Sequence, residues 1–173
     1  MSDEVLSFII DLITEHQLQQ VLELGSCWGY SALCIASETK VEIISLERDL
    51  ERHTQARYHV KTMNFQERIE MVYDDALVYQ PNQSFDLIVI DAVKAQNQAF
   101  VDRYYPYLNI GGFMVIDNAG FHGQVHSTRQ VPKSIKAMIT SLREFSETIQ
   151  EDSRFRYQEF NIGDGLIVLE KIV

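Results

Sequence analysis

The sequence lacks the features that mark membrane, secreted and disulfide-rich proteins. None of its apolar runs approaches the ~20 residues that a membrane-spanning helix needs. The acidic residues Asp3 and Glu4 stand where a signal peptide would be basic. Its only two cysteines, Cys27 and Cys34, form no CxxC pair, which argues against a disulfide framework and a zinc knuckle. We therefore expect a cytoplasmic protein that does not enter a membrane.

An excess of basic residues is also absent. The net charge is −10, so the chain has no general basic footprint, which argues against tight, sequence-independent binding to nucleic acid. A local basic face remains compatible with this charge. The 173 residues contain no internal repeat, low-complexity tract or linker. We predict a single domain over 1–173, with a short helical region, 1–19, before the first strand.

The sequence does contain a regular alternation of apolar strand-like and helix-like segments, which predicts an α/β fold. We expect a Rossmann-like, doubly wound, mostly parallel seven-stranded sheet with helices on both faces and a C-terminal antiparallel hairpin. Gly111-Gly112 is predicted to turn the chain into the fifth strand. The predicted strands are 20–24, 41–46, 69–72, 85–90, 113–116, 155–160 and 166–171, and the predicted helices are 3–17, 30–37, 50–63, 96–107 and 132–150.

The segment 21–31 joins the first strand to a helix through a turn bracketed by Gly25 and Gly29. Glycines at a strand end let backbone approach a ligand, and the N–H groups of the following helix point at that ligand. The spacing E-x-G-x-x-x-G differs from the G-x-G-x-x-G of dinucleotide-binding proteins, which disfavours NAD. Ligands of such sheets bind at the carboxyl ends of the strands. The other residues expected to line this crevice are Glu47, Asp75, Asp91 and Asp117.

Two carboxylates at strand ends suit an adenosine-containing ligand. Glu47 lies twenty-two residues after Gly25, at the end of the second strand, where it can accept hydrogen bonds from both ribose hydroxyls. The alternative is a solvated residue or a cap before Arg48-Asp49, and the position favours the ribose role. Asp75 follows the third strand and can reach the exocyclic amine of an adenine, or it belongs to a turn that faces water.

A second group of polar residues suits a metal. Asp91, Asp117 and Asn118 supply hard oxygen ligands at the ends of adjacent strands, a set that fits Mg²⁺. Alternatively, the two aspartates are helix or turn caps and Lys94 is their surface ion-pair partner, and spacing alone leaves both interpretations open. The pair His122 and His126 has no third ligand nearby, so we interpret both as loop residues rather than a zinc site.

Taken in order, these motifs resemble those of the class I, cation-dependent S-adenosylmethionine O-methyltransferases, which include catechol and caffeoyl-CoA O-methyltransferases. The resemblance extends from about residue 21 to residue 171. The glycine turn in combination with the D-A-x-K, D-N and G-D-G-L elements makes it specific. The matching segments are 23–31, Glu47, Asp75-Ala76, 85–94, Gly111-Gly112, Asp117-Asn118, His122-Gly123 and 162–166.

The resemblance implies S-adenosylmethionine as the cofactor, together with Mg²⁺ or another divalent cation. It implies that Gly25 and Ser31 hold the methionine portion, Glu47 the ribose and Asp75 the adenine. Lys94 would help to remove the proton of the acceptor hydroxyl. The other implied cofactor residues are Glu23, Gly29, Tyr30, Ala76 and Asp91, and the implied metal ligands are Asp91, Asp117 and Asn118.

The resemblance also implies a homodimer and a small aromatic or similar hydroxyl compound as the acceptor. Segments 91–98 and 104–108 look most like bacterial enzymes that methylate a hydroxylated wobble uridine in tRNA, which makes tRNA the alternative partner. A third hypothesis is a non-catalytic S-adenosylmethionine-binding protein, against which the intact D-A-x-K and D-N elements argue. The residues that would give a dimer a basic groove for tRNA are Arg129, Lys133 and Lys136.

The sequence departs from the family's pattern in three places. Asp74 stands where these enzymes usually have glycine, so we expect a change in either the backbone or the charge of the adenine pocket. Ala119-Gly120 replaces a bulkier apolar pair, so we expect a wider acceptor pocket. The segment before the first strand is shorter than the helical extension that usually contributes to the acceptor pocket and the dimer contact.

Overall fold

A computed structural model of the protein describes residues 1–119 and 136–173. Helices and strands alternate along most of these residues, as predicted; the third and fourth strands, and the sixth and seventh, follow each other without a helix between them. Short 3₁₀ turns lie at Lys94–Gln96 and Tyr105–Tyr107. The helices are α1 (Asp3–His16), α2 (Tyr30–Glu38), α3 (Leu50–Thr62), α4 (Asn97–Tyr104) and α5 (Lys136–Gln150), and the strands are β1 (Gln20–Leu24), β2 (Glu42–Glu47), β3 (Ile69–Tyr73), β4 (Phe85–Ile90), β5 (Leu108–Asp117), β6 (Phe155–Phe160) and β7 (Leu166–Lys171).

The strands form a seven-stranded sheet in the order β3-β2-β1-β4-β5-β7-β6. The first five strands run parallel, whereas β7 is antiparallel to both β5 and β6. The predicted fold class, including the C-terminal antiparallel hairpin, is confirmed. The strand order changes direction between β1 and β4, and the carboxyl ends of the strands at such a point form the usual ligand crevice of these sheets.

Alternate residues of each strand face opposite layers of helices. Val21 of β1 belongs to a buried cluster that also contains residues of α1, α2 and α3. Its neighbour Leu22 belongs to a second buried cluster, which contains residues of α4 and α5. Because β1 and β4 are covered on both faces, their apolar runs are nearly continuous, which is why these strands could be predicted with accurate bounds.

Helix α1 brings the start of the chain to the carboxyl edge of the sheet. It begins after Ser2, whose hydroxyl accepts a 3.4 Å hydrogen bond from the N–H of Val5. Phe8 packs against Phe160 of the hairpin, with 4.9 Å between the ring centroids. A Cβ atom on Gly163 would lie 2.9 Å from the Ser2 hydroxyl, so the turn of the hairpin packs closely on the first turn of α1.

Two local predictions were wrong. The predicted helix 96–107 is interrupted: α4 ends at Tyr104 and a 3₁₀ turn follows, because Pro106 has no N–H and cannot continue the α-helical hydrogen bonding. Gly111 and Gly112 lie inside β5 rather than before it. The pairing of β4 with β5 shifts register between Phe85 and Leu87, so the glycines occupy an irregular stretch of the strand rather than its start.

Two further predictions concern membrane-spanning helices and the start of the last helix. No helix in the described part of the chain is both long and apolar enough to cross a membrane. The predicted helix that begins at Pro132 is seen from Lys136 onward, and Pro132 itself lies outside the described residues.

Candidate active site

The glycine turn is enclosed by neighbouring segments of backbone. The N–H groups of Gly25 and Ser26 donate to the carbonyl oxygen of Leu46 at 3.1 and 3.0 Å. Gly25 has a φ of 98°, and a Cβ atom there would lie 2.4 Å from the carbonyl oxygen of Asp91. This glycine therefore allows the ends of β1 and β4 to approach each other. Gly29 likewise allows the turn to approach α3, because a Cβ atom added there would lie 3.1 Å from the Cβ atom of Ala56.

Glu47 ends β2 facing the glycine turn, and its side chain is only 7 % exposed. One carboxylate oxygen accepts a 2.8 Å hydrogen bond from the N–H of Cys27, and the other accepts a 2.9 Å bond from the N–H of Asp49. Each carboxylate oxygen can accept more than one hydrogen bond, so both still have capacity for a ligand hydroxyl. The burial of Glu47 does not fit the alternative of a solvated residue, whereas its bond with the N–H of Asp49 is the contact expected of a cap.

Glu23 and Ser31 contact each other rather than the open cavity. Glu23 is 1 % exposed, and its two carboxylate oxygens accept hydrogen bonds from the hydroxyl groups of Ser31 and Ser45. Burial raises the pKa of Glu23 from 4.5 to about 6, since the two serine hydrogen bonds offset only part of the desolvation. The carboxylate thus joins β1 to α2 and β2 behind the glycine turn.

A cavity of about 290 Å³ opens in front of the glycine turn. The predicted residues Gly25, Glu47, Asp75, Ala76 and Asp91 all line it. Tyr30 does not: it is largely exposed, and its hydroxyl donates a 3.2 Å hydrogen bond to Asp3 in α1. A larger groove of about 890 Å³ lies between α3 and β3. It contains none of the predicted residues, so we place the candidate site in the smaller cavity.

Asp75 is held in a turn after β3. One of its carboxylate oxygens accepts a 2.8 Å hydrogen bond from the N–H of Leu77, and the other lies 3.3 Å from a guanidinium nitrogen of Arg48. The side chain of Asp74 accepts a 2.8 Å bond from the N–H of Asp75. Because both side chains of the Arg48–Asp75 ion pair are exposed, this pair is weak and would compete little with a ligand donor at Asp75.

The four residues predicted for metal binding and catalysis lie together beside this cavity. The ammonium nitrogen of Lys94 is 3.0 Å from a carboxylate oxygen of Asp91 and 3.1 Å from the backbone oxygen of Asp117. The amide nitrogen of Asn118 is 3.5 Å from the same oxygen of Asp91. The amino group of Met1 lies 3.2 Å from the other oxygen of Asp91 and 3.8 Å from a carboxylate oxygen of Asp117.

The electrostatics of this group fit a hard cation. Asp117 is 2 % exposed, and its Oδ2 atom has no hydrogen-bond partner within the described residues. Burial and the nearby charge of Asp91 raise the pKa of Asp117. Burial would also raise the pKa of Asp91, but Lys94 and the Met1 amino group together lower it. Two carboxylates and an amide are donors that Mg²⁺ accepts, with other positions left to water or substrate.

The sequence model of the O-methyltransferase family matches residues 2–172. The chain belongs to the O-methyltransferase family. The predicted family and the class of enzyme are thereby confirmed.

Individual members show how far this O-methyltransferase resembles others. The tapetum-specific methyltransferase 1 of Arabidopsis thaliana is 23% identical to it over 96% of this chain and 75% of its own length. A Staphylococcus aureus structure assigned as a caffeoyl-CoA O-methyltransferase is 26% identical, with a TM-score of 0.93 over 99% of this chain and 84% of that one. A Bacillus cereus O-methyltransferase in complex with S-adenosylhomocysteine shares the fold, with 22% identity, a TM-score of 0.83 and coverage of 99% and 82%.

Sequence reasoning missed part of the cavity of this O-methyltransferase. Phe100 lies in α4, one helical turn after Gln96, and both line the cavity. Their spacing of four residues in the predicted helix 96–107 could have indicated that both face the same side, since it places them on one helical face. The other lining residues that were not predicted for the site are Leu46, Arg48, Arg52, Ala92 and Val93, whereas Cys27 and Asp74 lie where the glycine turn and the adenine pocket were expected.

Other predicted features fall outside the described residues: His122, His126, Gly120, the basic residues Arg129 and Lys133, and the side chain of Lys136. Ala119 is described. Its N–H donates a 2.8 Å hydrogen bond to the carbonyl oxygen of Gly165, which ties the end of β5 to the hairpin turn.

Proposed function

We propose that this chain is a divalent-metal-dependent O-methyltransferase that moves the methyl group of S-adenosylmethionine to a hydroxyl of a small aromatic or similar acceptor. The observation that carries the proposal is the convergence of Asp91, Lys94, Asp117 and Asn118 beside a cavity lined by the glycine turn and Glu47. A binding-only protein has no need of all four residues. The complex of the Bacillus cereus relative with S-adenosylhomocysteine supports the choice of cofactor.

In this proposal the cavity holds the adenosine half of the cofactor. Glu47 accepts hydrogen bonds from the ribose hydroxyls, and Asp75 and Ala76 contact the adenine. Gly25 and its neighbours bring the backbone of the turn to the methionine portion. Glu23 and Ser31 support that backbone from behind rather than contact the cofactor. The Glu23 carboxylate already accepts hydrogen bonds from the hydroxyls of Ser31 and Ser45.

Asp91, Asp117 and Asn118 would hold the divalent cation, which when bound lowers the pKa of the acceptor hydroxyl. Lys94, once in its neutral amine form, would accept the proton from that hydroxyl, and its contacts with Asp91 and the backbone oxygen of Asp117 fix the position of its nitrogen. When bound, S-adenosylmethionine would supply the methyl group, which passes to the acceptor oxygen as the carbon–sulfur bond breaks. The chain accelerates this step mainly by positioning the two substrates and stabilising charge.

The test is transfer of labelled methyl from S-adenosylmethionine to a panel of catechols, with Mg²⁺ and with a chelator. We expect transfer that the chelator abolishes and Mg²⁺ restores. Lys94→Ala should lower turnover about a hundredfold or more while leaving S-adenosylhomocysteine binding intact. Lys61→Ala, on the exposed side of α3, is the matched control. Transfer that is insensitive to the chelator would contradict the metal assignment.

The same assay includes a tRNA with a hydroxylated wobble uridine, because segments 91–98 and 104–108 resemble enzymes with that acceptor. Methylation of the tRNA but not of the catechols would replace the small acceptor with this alternative. Cofactor binding without transfer to any acceptor would favour the non-catalytic hypothesis.

We also propose a homodimer and a single methyltransferase domain over 1–173, which sedimentation and limited proteolysis can test.

A further inference from the structure

The segment after β3 carries two of the proposed cofactor residues but has little structure of its own. Residues 74–84 connect β3 to β4 through turns, without a helix or a strand. Asp75 and Ala76 nevertheless line the cavity, and Ala76 is buried. Local hydrogen bonds, such as those from the N–H groups of Val78 and Tyr79 to the carbonyl oxygen of Asp75, shape the turn but do not attach it to the rest of the site.

Helix α4 supplies that attachment. Tyr104 is completely buried, and its hydroxyl donates a 2.7 Å hydrogen bond to the carbonyl oxygen of Ala76. Burial raises the pKa of Tyr104, so the hydroxyl keeps the proton that it donates. The guanidinium of the preceding residue, Arg103, donates to the carbonyl oxygens of Val78 at 2.6 Å and Tyr79 at 2.8 Å. Hydrogen bonds from these two adjacent residues to the carbonyl oxygens of Ala76, Val78 and Tyr79 therefore hold the segment 76–79.

The same helix also forms part of the cavity wall. Phe100, one turn before Tyr104, lines the cavity together with Ala76. The 3₁₀ turn that begins with Lys94 continues directly into α4. The position of the segment 74–84 is thus set by α4, which follows the proposed catalytic lysine, and not by β3 alone.

We propose that Tyr104 and Arg103 are positioning residues for the adenine side of the cofactor: they hold the segment 75–79 so that Asp75 and Ala76 face the exocyclic amine of the bound adenine. This inference rests on the proposed function. Neither residue lies among those that line the cavity, so both act through the backbone of the segment they hold. Loss of the Tyr104 hydrogen bond also removes the partner of the buried carbonyl oxygen of Ala76, which has a cost of its own.

The experiment measures binding of S-adenosylhomocysteine and of S-inosylhomocysteine, in which a carbonyl oxygen replaces the exocyclic amine. We expect the wild-type chain to prefer the adenine compound. Tyr104→Phe, which removes only the hydroxyl, should weaken S-adenosylhomocysteine about three- to tenfold and reduce the preference. The KM for S-adenosylmethionine should rise while kcat at saturating cofactor stays unchanged. A merely structural role would not move the ratio between the two ligands.

Matched variants complete the design. Tyr107→Phe is the control, because its hydroxyl makes no hydrogen bond within the described residues. Arg103→Gln removes the contacts to Val78 and Tyr79 independently, and Arg103→Lys should partly restore them. Wild-type affinity and wild-type preference in both Tyr104→Phe and Arg103→Gln would overturn the inference alone. Failure of the wild-type chain to bind S-adenosylhomocysteine would overturn the proposed function, and the inference with it.

Discussion

The carboxylate of Glu47 accepts a 2.8 Å hydrogen bond from the backbone N–H of Cys27, and so ties the end of β2 to the glycine turn after β1. Because its second oxygen is bonded to the N–H of Asp49, the carboxylate is fixed before any ligand arrives. A ribose bound here therefore meets an acceptor that is already oriented, and little entropy is lost on binding.

Replacing Glu47 should affect the cofactor before it affects chemistry. Glu47→Gln keeps the shape of the side chain but removes its charge, and we expect S-adenosylhomocysteine to bind about 10- to 100-fold more weakly, since hydrogen bonds to charged groups are among the stronger ones. Turnover at saturating cofactor should change much less. Titration calorimetry and steady-state kinetics measure the two effects. Glu42→Gln, at the exposed start of the same strand, is the control. Unchanged affinity in Glu47→Gln would refute the ribose role.

Removing one of the proposed metal ligands should weaken cation binding directly. Asp117→Asn leaves a neutral amide in place of the buried carboxylate whose Oδ2 atom has no hydrogen-bond partner in the described chain. We expect the affinity for Mg²⁺ or Mn²⁺ to fall more than about tenfold, measured by calorimetry without acceptor, so that the result does not depend on activity. Asp11→Asn, on the exposed face of α1, should leave the affinity unchanged. Equal cation binding by both variants would count against the assignment.

The strands and the polar residues at their ends could be predicted because each depends on local pattern. The apolar run 85–90 is followed at once by Asp91, and the topology of parallel sheets gathers such ends at one edge. The links between distant segments could not be predicted in this way. The bond from Tyr104 to Ala76 joins residues 28 apart, and nothing in the periodicity of α4 indicates which carbonyl the buried hydroxyl meets. The start of β5 was predicted too late in the chain, because glycines such as Gly111 and Gly112 occur both in turns before strands and in bulges within them.

The pH dependence of stability should report the buried Glu23. Its pKa is about 6 in the folded chain against an ordinary 4.5, so between pH 4.5 and 6 the folded state binds more protons than the unfolded state. Stability from this group is therefore present at the acidic end and is lost as the pH rises through 6. The lost contribution is about 2 kcal/mol, because one unit of pKa corresponds to about 1.4 kcal/mol.

Glu23→Gln removes this titration. Relative to wild type, its free energy of unfolding should increase by about 2 kcal/mol between pH 4.5 and pH 7. Urea unfolding of both proteins at the two pH values measures the difference, and any constant effect of the changed serine hydrogen bonds cancels. Glu42→Gln should show no such trend. A Glu23→Gln effect that is the same at both pH values would mean that the pKa of Glu23 is not raised in the folded chain.

Gly25 and Gly111 separate the cost of backbone strain from the cost of a clash. Both have positive φ, 98° and 78°, so alanine at either position is strained by about 1–2 kcal/mol. A Cβ atom at Gly111 meets nothing within 4 Å, whereas one at Gly25 would lie 2.4 Å from the carbonyl oxygen of Asp91.

We expect Gly111→Ala to lower the free energy of unfolding by the strain alone and to leave Mg²⁺ affinity unchanged. Gly25→Ala should cost clearly more, because the ends of β1 and β4 must separate. It should also weaken both S-adenosylhomocysteine and Mg²⁺, since Asp91 lines the cavity and belongs to the proposed metal site. Denaturant unfolding and calorimetry on the two variants test this, and equal losses in both would show that strain, not the approach of Asp91, is why glycine is needed at position 25.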